Sequence, residues 1–243
     1  MKARVAYRRI LLKLSGEALA GEKGTNCVLD PLVCRKIARE IAGARTKGVE
    51  TGIVIGGGNI LRGASAKGLP RVIADTMGML ATVINSLALA SFLEQAGCPA
   101  RVLTAVSVHG AGERFSAQKA REYLANGIVV IIAGGTGNPF FTTDTAAALR
   151  CAEIGAQVLL KATKVDGIYD SDPVKNKGAS RFTRITHAEA LARNLKVMDA
   201  TAFSFCRENN IPIIVFKLAG NGNLLKCIEG KKVGTLVTTG GLT

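Results

Sequence analysis

The 243-residue chain contains no tryptophan, and aromatic residues make up only 5% of it. Because no basic stretch is interleaved with aromatics, a base-stacking surface for nucleic acid is not expected. Histidine is also scarce, and the two present, His109 and His187, argue against a zinc site. The six cysteines form no C-x-x-C motif and lie mostly in apolar stretches, which is typical of buried thiols in a reducing compartment.

Segments that would enter or cross a membrane are also not expected. The N-terminus has no sustained apolar run before Lys13, and the most apolar helix, around residues 79–93, is interrupted by polar side chains. The sequence therefore predicts a soluble, cytoplasmic protein. Its 32 Lys and Arg against 18 Asp and Glu give a net charge of +14, which favours anionic partners such as nucleotides.

Two familiar nucleotide-binding motifs are missing. The chain has no G-x-x-x-x-G-K-[ST] loop, and the glycine triplet at residues 56–58 does not extend to G-x-G-x-x-G, because Leu61 stands where the last glycine is required. Neither a Walker-type ATPase nor a dinucleotide-dependent oxidoreductase is therefore favoured.

What is present is a regular alternation of strand-like and helix-like segments along the whole chain. It predicts one α/β domain, residues 1–243, with a mostly parallel sheet between helix layers. Four glycine-rich or polar segments, residues 13–16, 56–59, 134–144 and 163–172, each follow a predicted strand. The carboxyl ends of parallel strands share one edge, so we expect these loops to converge on one crevice.

The segment at residues 128–144, IVVIIAGGTGNPFFTTD, is the most informative of the chain. An apolar, mostly β-branched run typical of a buried parallel strand breaks into a glycine- and proline-rich loop before a helix-forming run. Open α/β sheets bind anionic ligands at such loops. The threonines, Asn138 and Asp144 exceed what a turn requires, so the segment predicts a ligand site.

Six motifs, in order and with matching spacing, make the chain resemble the bacterial uridylate (UMP) kinases of the amino-acid kinase superfamily. The resemblance covers Tyr7 to about Thr238, and the string TGNPFFTTD is the most specific part of it. The motifs are KLSGEAL at residues 13–19, IGGGN at 55–59, Asp75 with MGMLAT at 77–82, GTGNPFFTTD at 135–144, KATKVDG at 161–167 and KVMD at 196–199.

The resemblance implies the reaction MgATP + UMP → ADP + UDP in pyrimidine nucleotide synthesis. It also implies a three-layer αβα sandwich, a homohexamer, feedback inhibition by UTP and, in many members, activation by GTP. Magnesium would be carried by ATP, with no metal bound by the protein alone.

The same resemblance implies roles for individual residues. Those of the ATP site would be Lys13, Leu14, Ser15, Gly16, Gly58, Arg62, Thr163, Tyr169 and Asp172. Those of the UMP site would be Gly57, Asp75 (on the ribose), Thr136, Gly137, Asn138, Pro139, Phe140, Phe141, Thr142 and Thr143. The catalytic residues would be Lys13, Arg62, Asp144, as organiser of lysines or magnesium, and Lys196, as a second lysine.

The chain departs from the family pattern at residues 21–30, GEKGTNCVLD, where many members carry a glycine–aromatic–glycine turn associated with the response to GTP. Two other functions are also compatible with such a fold. One is a relative that phosphorylates a carboxylate or carbamate, which would need an amino-acid pocket at residues 138–141. The other is a non-catalytic nucleotide-binding protein, against which the joint presence of Lys13, Arg62, Asp144 and Asp172 argues.

Overall fold

The computed structural model describes residues 5–21, 27–61, 68–195, 197–218 and 222–240. The strands are β1 (Arg9–Leu14), β2 (Glu50–Ile55), β3 (Ala100–Thr104), β4 (Glu113–Arg114), β5 (Val129–Ala133), β6 (Val158–Thr163), β7 (Arg184–Thr186), β8 (Ile213–Lys217) and β9 (Thr235–Thr238). The α-helices are α1 (Pro31–Thr46), α2 (Arg71–Gln95), α3 (Ala117–Ala125), α4 (Thr143–Ile154), α5 (His187–Ala192), α6 (Ala200–Glu208) and α7 (Asn223–Ile228).

All nine strands join one sheet in the order β4-β3-β5-β2-β1-β6-β8-β9-β7. Every neighbouring pair is parallel except β8 and β9. Successive residues of a strand point to opposite faces, so β1 gives Ile10, Leu12 and Leu14 to one core and Leu11 to the other. Helices α1, α2 and α7 cover the first face and α3 to α6 the second, which confirms the predicted three-layer sandwich.

Local sequence explains where several helices begin. The Asp30 carboxylate accepts hydrogen bonds from the N–H groups of Leu32 and Val33 at the start of α1, and Pro31 occupies the first helical position. Helix α2 is long and apolar enough to cross a membrane by length and composition alone, but here it packs against α1, β3 and β5. The cysteines are free, and all but Cys27 are buried, as predicted.

Two short strands carry no clear sequence signal. Strand β4 is a polar pair of residues at one edge of the sheet, and β7 is a three-residue strand at the other edge. Both are formed by pairing with a longer neighbour rather than by their own propensity. The central strands, by contrast, are almost entirely buried and apolar, which is why they were predictable.

Candidate active site

Two buried lysines lie side by side at the carboxyl edge of the sheet. Lys13 on β1 and Lys161 on β6 are direct partners in the parallel register, so both side chains leave the same face of the sheet. They are only 8% and 7% exposed. Buried lysines require a negative partner, because desolvation penalises an unpaired ammonium group.

That partner is Asp144, in the first turn of α4. Its Oδ1 lies 2.6 Å from Lys13 Nζ, and its Oδ2 forms an ion pair with Lys161 Nζ. Burial alone would raise the pKa of Asp144, but the two lysines outweigh it and the pKa is lowered. Burial and, to a smaller extent, Lys13 lower the pKa of Lys161, and together they outweigh Asp144, which raises it. One carboxylate thus fixes two cationic groups in place.

Sequence reasoning gave Lys161 no role and named Lys196 as the second lysine. Lys196 lies outside the described residues, as does Arg62, so neither prediction is tested. The signal for Lys161 was present in the sequence as a lone charge inside the apolar strand VLLKAT. Only the strand order, which places β6 beside β1, shows that it faces Lys13.

The loops after β1 and β2 pack backbone against backbone. A Cβ on Gly16 would overlap Asn59 Oδ1 and would lie 2.6 Å from the Gly56 carbonyl oxygen. Asn85 of α2 donates to that same carbonyl at 2.7 Å, and the side-chain amides of Asn59 and Asn85 pair at 2.7 and 3.0 Å. The two glycine loops therefore meet at one edge as predicted, and the side-chain amides of Asn59 and Asn85 hold their shape.

A cleft between α2 and the β5–α4 loop collects most of the residues predicted for UMP. Gly57, Asp75, Thr136, Asn138, Phe141, Thr142 and Thr143 line it, together with Leu61, Gly78, Met79, Thr82 and Gly135. Gly137, Pro139 and Phe140 belong to the same loop but are not among the lining residues. An exposed Phe140 with φ of 71° shows how sharply the loop turns there.

Asp75 is tied to this loop from the opposite wall. Its Oδ2 accepts hydrogen bonds from the Phe140 N–H and from Arg71 Nε, both at 2.8 Å. Burial would raise the pKa of Asp75, but these two donors outweigh it and the pKa is lowered. The bonds that the structure describes fall on Oδ2, which leaves Oδ1 available to a ligand hydroxyl.

A second cavity lies at the carboxyl end of β6, where Thr163 follows Lys161 by two residues. Thr163, Tyr169 and Asp172, the three residues predicted for the adenine nucleotide, line it together with residues after α5. The Tyr169 hydroxyl donates to Asp166 Oδ1 at 2.6 Å, and Asp172 Oδ1 accepts from the Val174 N–H at 2.9 Å. These contacts order the long β6–β7 connection around the cavity.

The N-termini of α4 and α6 meet beside Asp144. The Thr142 hydroxyl caps α4, accepting from the Asp144 and Thr145 N–H groups, and donates to Asp199, which itself caps α6. The Thr145 hydroxyl donates to the same carboxylate at 3.0 Å. Helix N-termini carry partial positive charge, so each helix end stabilises the carboxylate beside it, Asp144 on α4 and Asp199 on α6.

The arrangement brings two lysines, two glycine loops and two helix N-termini to the carboxyl edge of the sheet, and residues that follow β2, β5 and β6 line the two cavities. It suits the transfer of a phosphoryl group between two anionic substrates, in which catalysis is mostly positioning and stabilisation of charge. The described residues contain no group of three or more His, Cys, Asp or Glu able to hold a metal ion.

Known proteins give the same picture. The amino acid kinase family matches residues 8–217. Uridylate kinase of Bacteroides thetaiotaomicron is 56% identical over 95% of this chain and 98% of its own, and that of Brucella abortus is 54% identical over 98% and 99%. The crystal structure of UMP kinase from Bacillus anthracis has a TM-score of 0.92 at 37% identity, covering 97% of each chain. The chain belongs to the amino acid kinase family, as its motifs predicted.

The Lys13–Asp144–Lys161 cluster predicts an asymmetric response of stability to mutation. Asp144→Ala leaves two buried ammonium groups facing each other, so we expect the free energy of unfolding to fall by about 3–5 kcal/mol. Lys161→Met removes one charge and keeps most of the packing, so its loss should be smaller.

The double variant Asp144→Ala/Lys161→Met tests the coupling directly. Once Asp144 is absent, Lys161 no longer contributes an ion pair with it. The free energy of unfolding of the double variant should therefore fall by less than the sum of the two single-variant losses. Urea unfolding of the four proteins measures this. Strict additivity would show that the ion pair contributes nothing.

Proposed function

We propose that this protein transfers the γ-phosphoryl group of MgATP to UMP, giving ADP and UDP in pyrimidine nucleotide synthesis. The observation that carries the proposal is the buried Lys13–Asp144–Lys161 cluster at the carboxyl edge of the sheet. One cavity near this edge gathers most of the residues predicted for UMP, and another gathers Thr163, Tyr169 and Asp172 of those predicted for ATP. The uridylate kinases among its relatives match it over nearly their full length, which supports the same substrates here.

On the ATP side, the chain offers backbone and charge rather than a nucleophile. The N–H groups of residues 13–16 and Gly58 would bind phosphate oxygens. The cavity lined by Thr163, Tyr169 and Asp172 would accept the adenosine. Magnesium, held by the ATP phosphates, would neutralise part of their charge. Arg62, predicted beside the phosphates, completes this set.

On the UMP side, Gly57 and residues 136–143 would surround the nucleotide, with Asp75 Oδ1 on a ribose hydroxyl. Lys13 and Lys161 would face the phosphoryl group in transfer, where charge lies on non-bridging oxygens. Asp144 would keep both ammonium groups in position and would not itself exchange a proton. A phosphate acceptor is already ionised near neutral pH, so the reaction needs no strong base.

We also propose that the domain, residues 1–243, works as a cytoplasmic homohexamer. Helix α2 supports assembly because Ile73, Met77, Leu80, Ile84 and Leu87 are each 40–51% exposed and follow one another at alternating spacings of four and three residues. Such a stripe is typical of a helix that packs on a second helix. A monomeric mass in sedimentation at micromolar concentration would contradict the assembly.

Regulation by nucleotides belongs to the same proposal. UTP shares the uridine of UMP and can compete for the same cleft as a feedback inhibitor. GTP activates many family members, but residues 21–30 differ here from the family pattern, and residues 22–26 lie outside the described part of the chain. Initial rates measured with added UTP or GTP decide both points.

The two walls of the site should respond differently to mutation. Lys161→Met removes a cation from the transferred group, so we expect kcat to fall by about 10²–10³-fold. Asp75→Asn weakens the hold on the ribose and should mainly raise the KM for UMP. Lys164→Met, at an exposed lysine three residues further on, is the matched control and should change neither constant. An exchange of the two effects would refute these assignments.

Base preference provides the test of the proposed substrate. Cytosine replaces the uracil N–H by an acceptor and one carbonyl by an amino group, so a pocket fitted to uracil leaves buried groups unpaired. At about 1–3 kcal/mol for each such group, two mismatches should suppress kcat/KM for CMP by roughly 10²–10⁴-fold. Thr143→Val or Asn138→Ala should weaken this preference and leave the KM for ATP nearly unchanged.

A coupled assay of ADP release with UMP, CMP, dUMP and acetylglutamate makes the measurement. Turnover with acetylglutamate alone would indicate a carboxylate kinase, and no turnover with any acceptor would indicate a nucleotide-binding protein. Equal kcat/KM for CMP and UMP would refute the uracil pocket.

A further inference from the structure

Arg150, on α4, is a charged residue buried directly behind the β5–α4 loop, which lines the candidate UMP cleft. The residue as a whole is only 5% exposed. Nη2 donates to the carbonyl oxygens of Gly135 and Thr136 at 3.2 and 3.3 Å, and Nη1 donates to Glu153 at 2.6 Å. Burying an arginine costs free energy unless its N–H groups donate hydrogen bonds. Here two of those bonds go to carbonyl groups of a single backbone turn.

The surroundings of Arg150 hold the guanidinium plane still. The Phe115 ring lies against it, with the guanidinium carbon 4.2 Å from the ring centroid. Glu153, one turn along the same helix, provides the compensating charge on Nη1. A planar group stacked on one side and paired on another has little freedom, so it imposes its direction on the carbonyl groups that it binds.

The loop that Arg150 contacts would not keep this conformation unaided. Gly134, Gly135 and Gly137 have φ values of 78°, 59° and 86°, and glycine is flexible in that region. Thr82 Oγ1 of α2 accepts from the Gly134 N–H at 2.8 Å and fixes the start of the loop. Arg150 fixes the Gly135–Thr136 and Thr136–Gly137 peptides from the opposite side.

The direction of those carbonyl groups determines the direction of an N–H group. In a trans peptide the C=O and the N–H point to opposite sides. With the Gly135 carbonyl turned toward Arg150, the Thr136 N–H of the same peptide points away from Arg150. Gly135, Thr136 and Asn138 line the candidate UMP cleft. The carbonyl group of this peptide therefore accepts from the buried arginine, and its N–H group lies on the side of the substrate.

We propose that Arg150 is a positioning residue for base recognition. It holds the Gly135–Thr136 peptide so that the Thr136 N–H donates to a carbonyl oxygen of the pyrimidine ring. This inference rests on the proposed UMP kinase function and adds to it the residue that sets the geometry of the base contact. Arg150 itself touches neither nucleotide.

Arg150→Met tests the inference, because it keeps an unbranched apolar stem against Phe115 and removes every donor. We expect the KM for UMP to rise about tenfold, the size of one misplaced hydrogen bond, with kcat and the KM for ATP within about twofold of the wild-type values. Ribose 5-phosphate, a competitor without a base, should keep its inhibition constant. A purely structural arginine would lower the melting temperature without this selective change.

Glu153→Gln is the matched control, since it removes the charge partner but leaves the carbonyl bonds of Arg150; its KM for UMP should not change. If Arg150→Met does not fold, Arg150→Lys serves instead. Its single ammonium cannot bind both carbonyls and stack on Phe115, so the KM for UMP should rise at least about threefold.

The outcomes separate this inference from the function on which it rests. A wild-type protein without UMP-dependent ADP release would refute the proposed function. An active wild-type protein together with an unchanged KM for UMP in the Arg150 variant would refute only the role of Arg150. An equal loss of affinity for ribose 5-phosphate and UMP would do the same, because the effect would then not concern the base.

Discussion

The geometry of the site depends on one carboxylate that binds two ammonium groups. Asp144 is held at the start of α4 by a capped helix turn, while Lys13 and Lys161 are held by adjacent strands in fixed register. A shift of α4 relative to the sheet would break both ion pairs at once. The packing of α4 on β1 and β6 therefore also aligns the three charged groups. The contacts that stabilise the fold are the ones that set the geometry of the site.

Much of the protein surface that would contact the substrates is formed by backbone, and buried polar side chains set the shape of that backbone. Asn85 holds the Gly56 carbonyl, Thr82 holds the Gly134 N–H, and Arg150 holds two carbonyl groups behind the cleft. Glycine lets the chain approach a phosphate or a base, but it gives no rigidity of its own. The rigidity comes from neighbouring helices, whose polar residues would otherwise be out of place in a core.

The sequence predicted the features that depend on neighbouring residues in the chain, and it did not predict those that depend on how the strands and helices pack together. The alternating pattern predicted the parallel sheet, and the loop at residues 134–144 predicted the cleft, because apolar runs and glycine turns are local signals. The role of Lys161 could not be read in this way, since it follows from β6 lying beside β1 and not from its neighbours in the chain. Arg150 was missed for the same reason, as its partners lie in a loop and beside a short edge strand.

The same cluster explains why the site should be most stable with its substrates bound. One carboxylate faces two ammonium groups, and Lys13 and burial both act to lower the pKa of Lys161. Asp199, which caps α6 beside them, offsets the positive end of that helix and favours the charged form of Lys161. Two buried ammonium groups are still costly to desolvate in the free protein, and a phosphate beside them would supply the further negative charge that stabilises them. The same charged groups therefore contribute both to binding of the nucleotides and to alignment of the reacting groups.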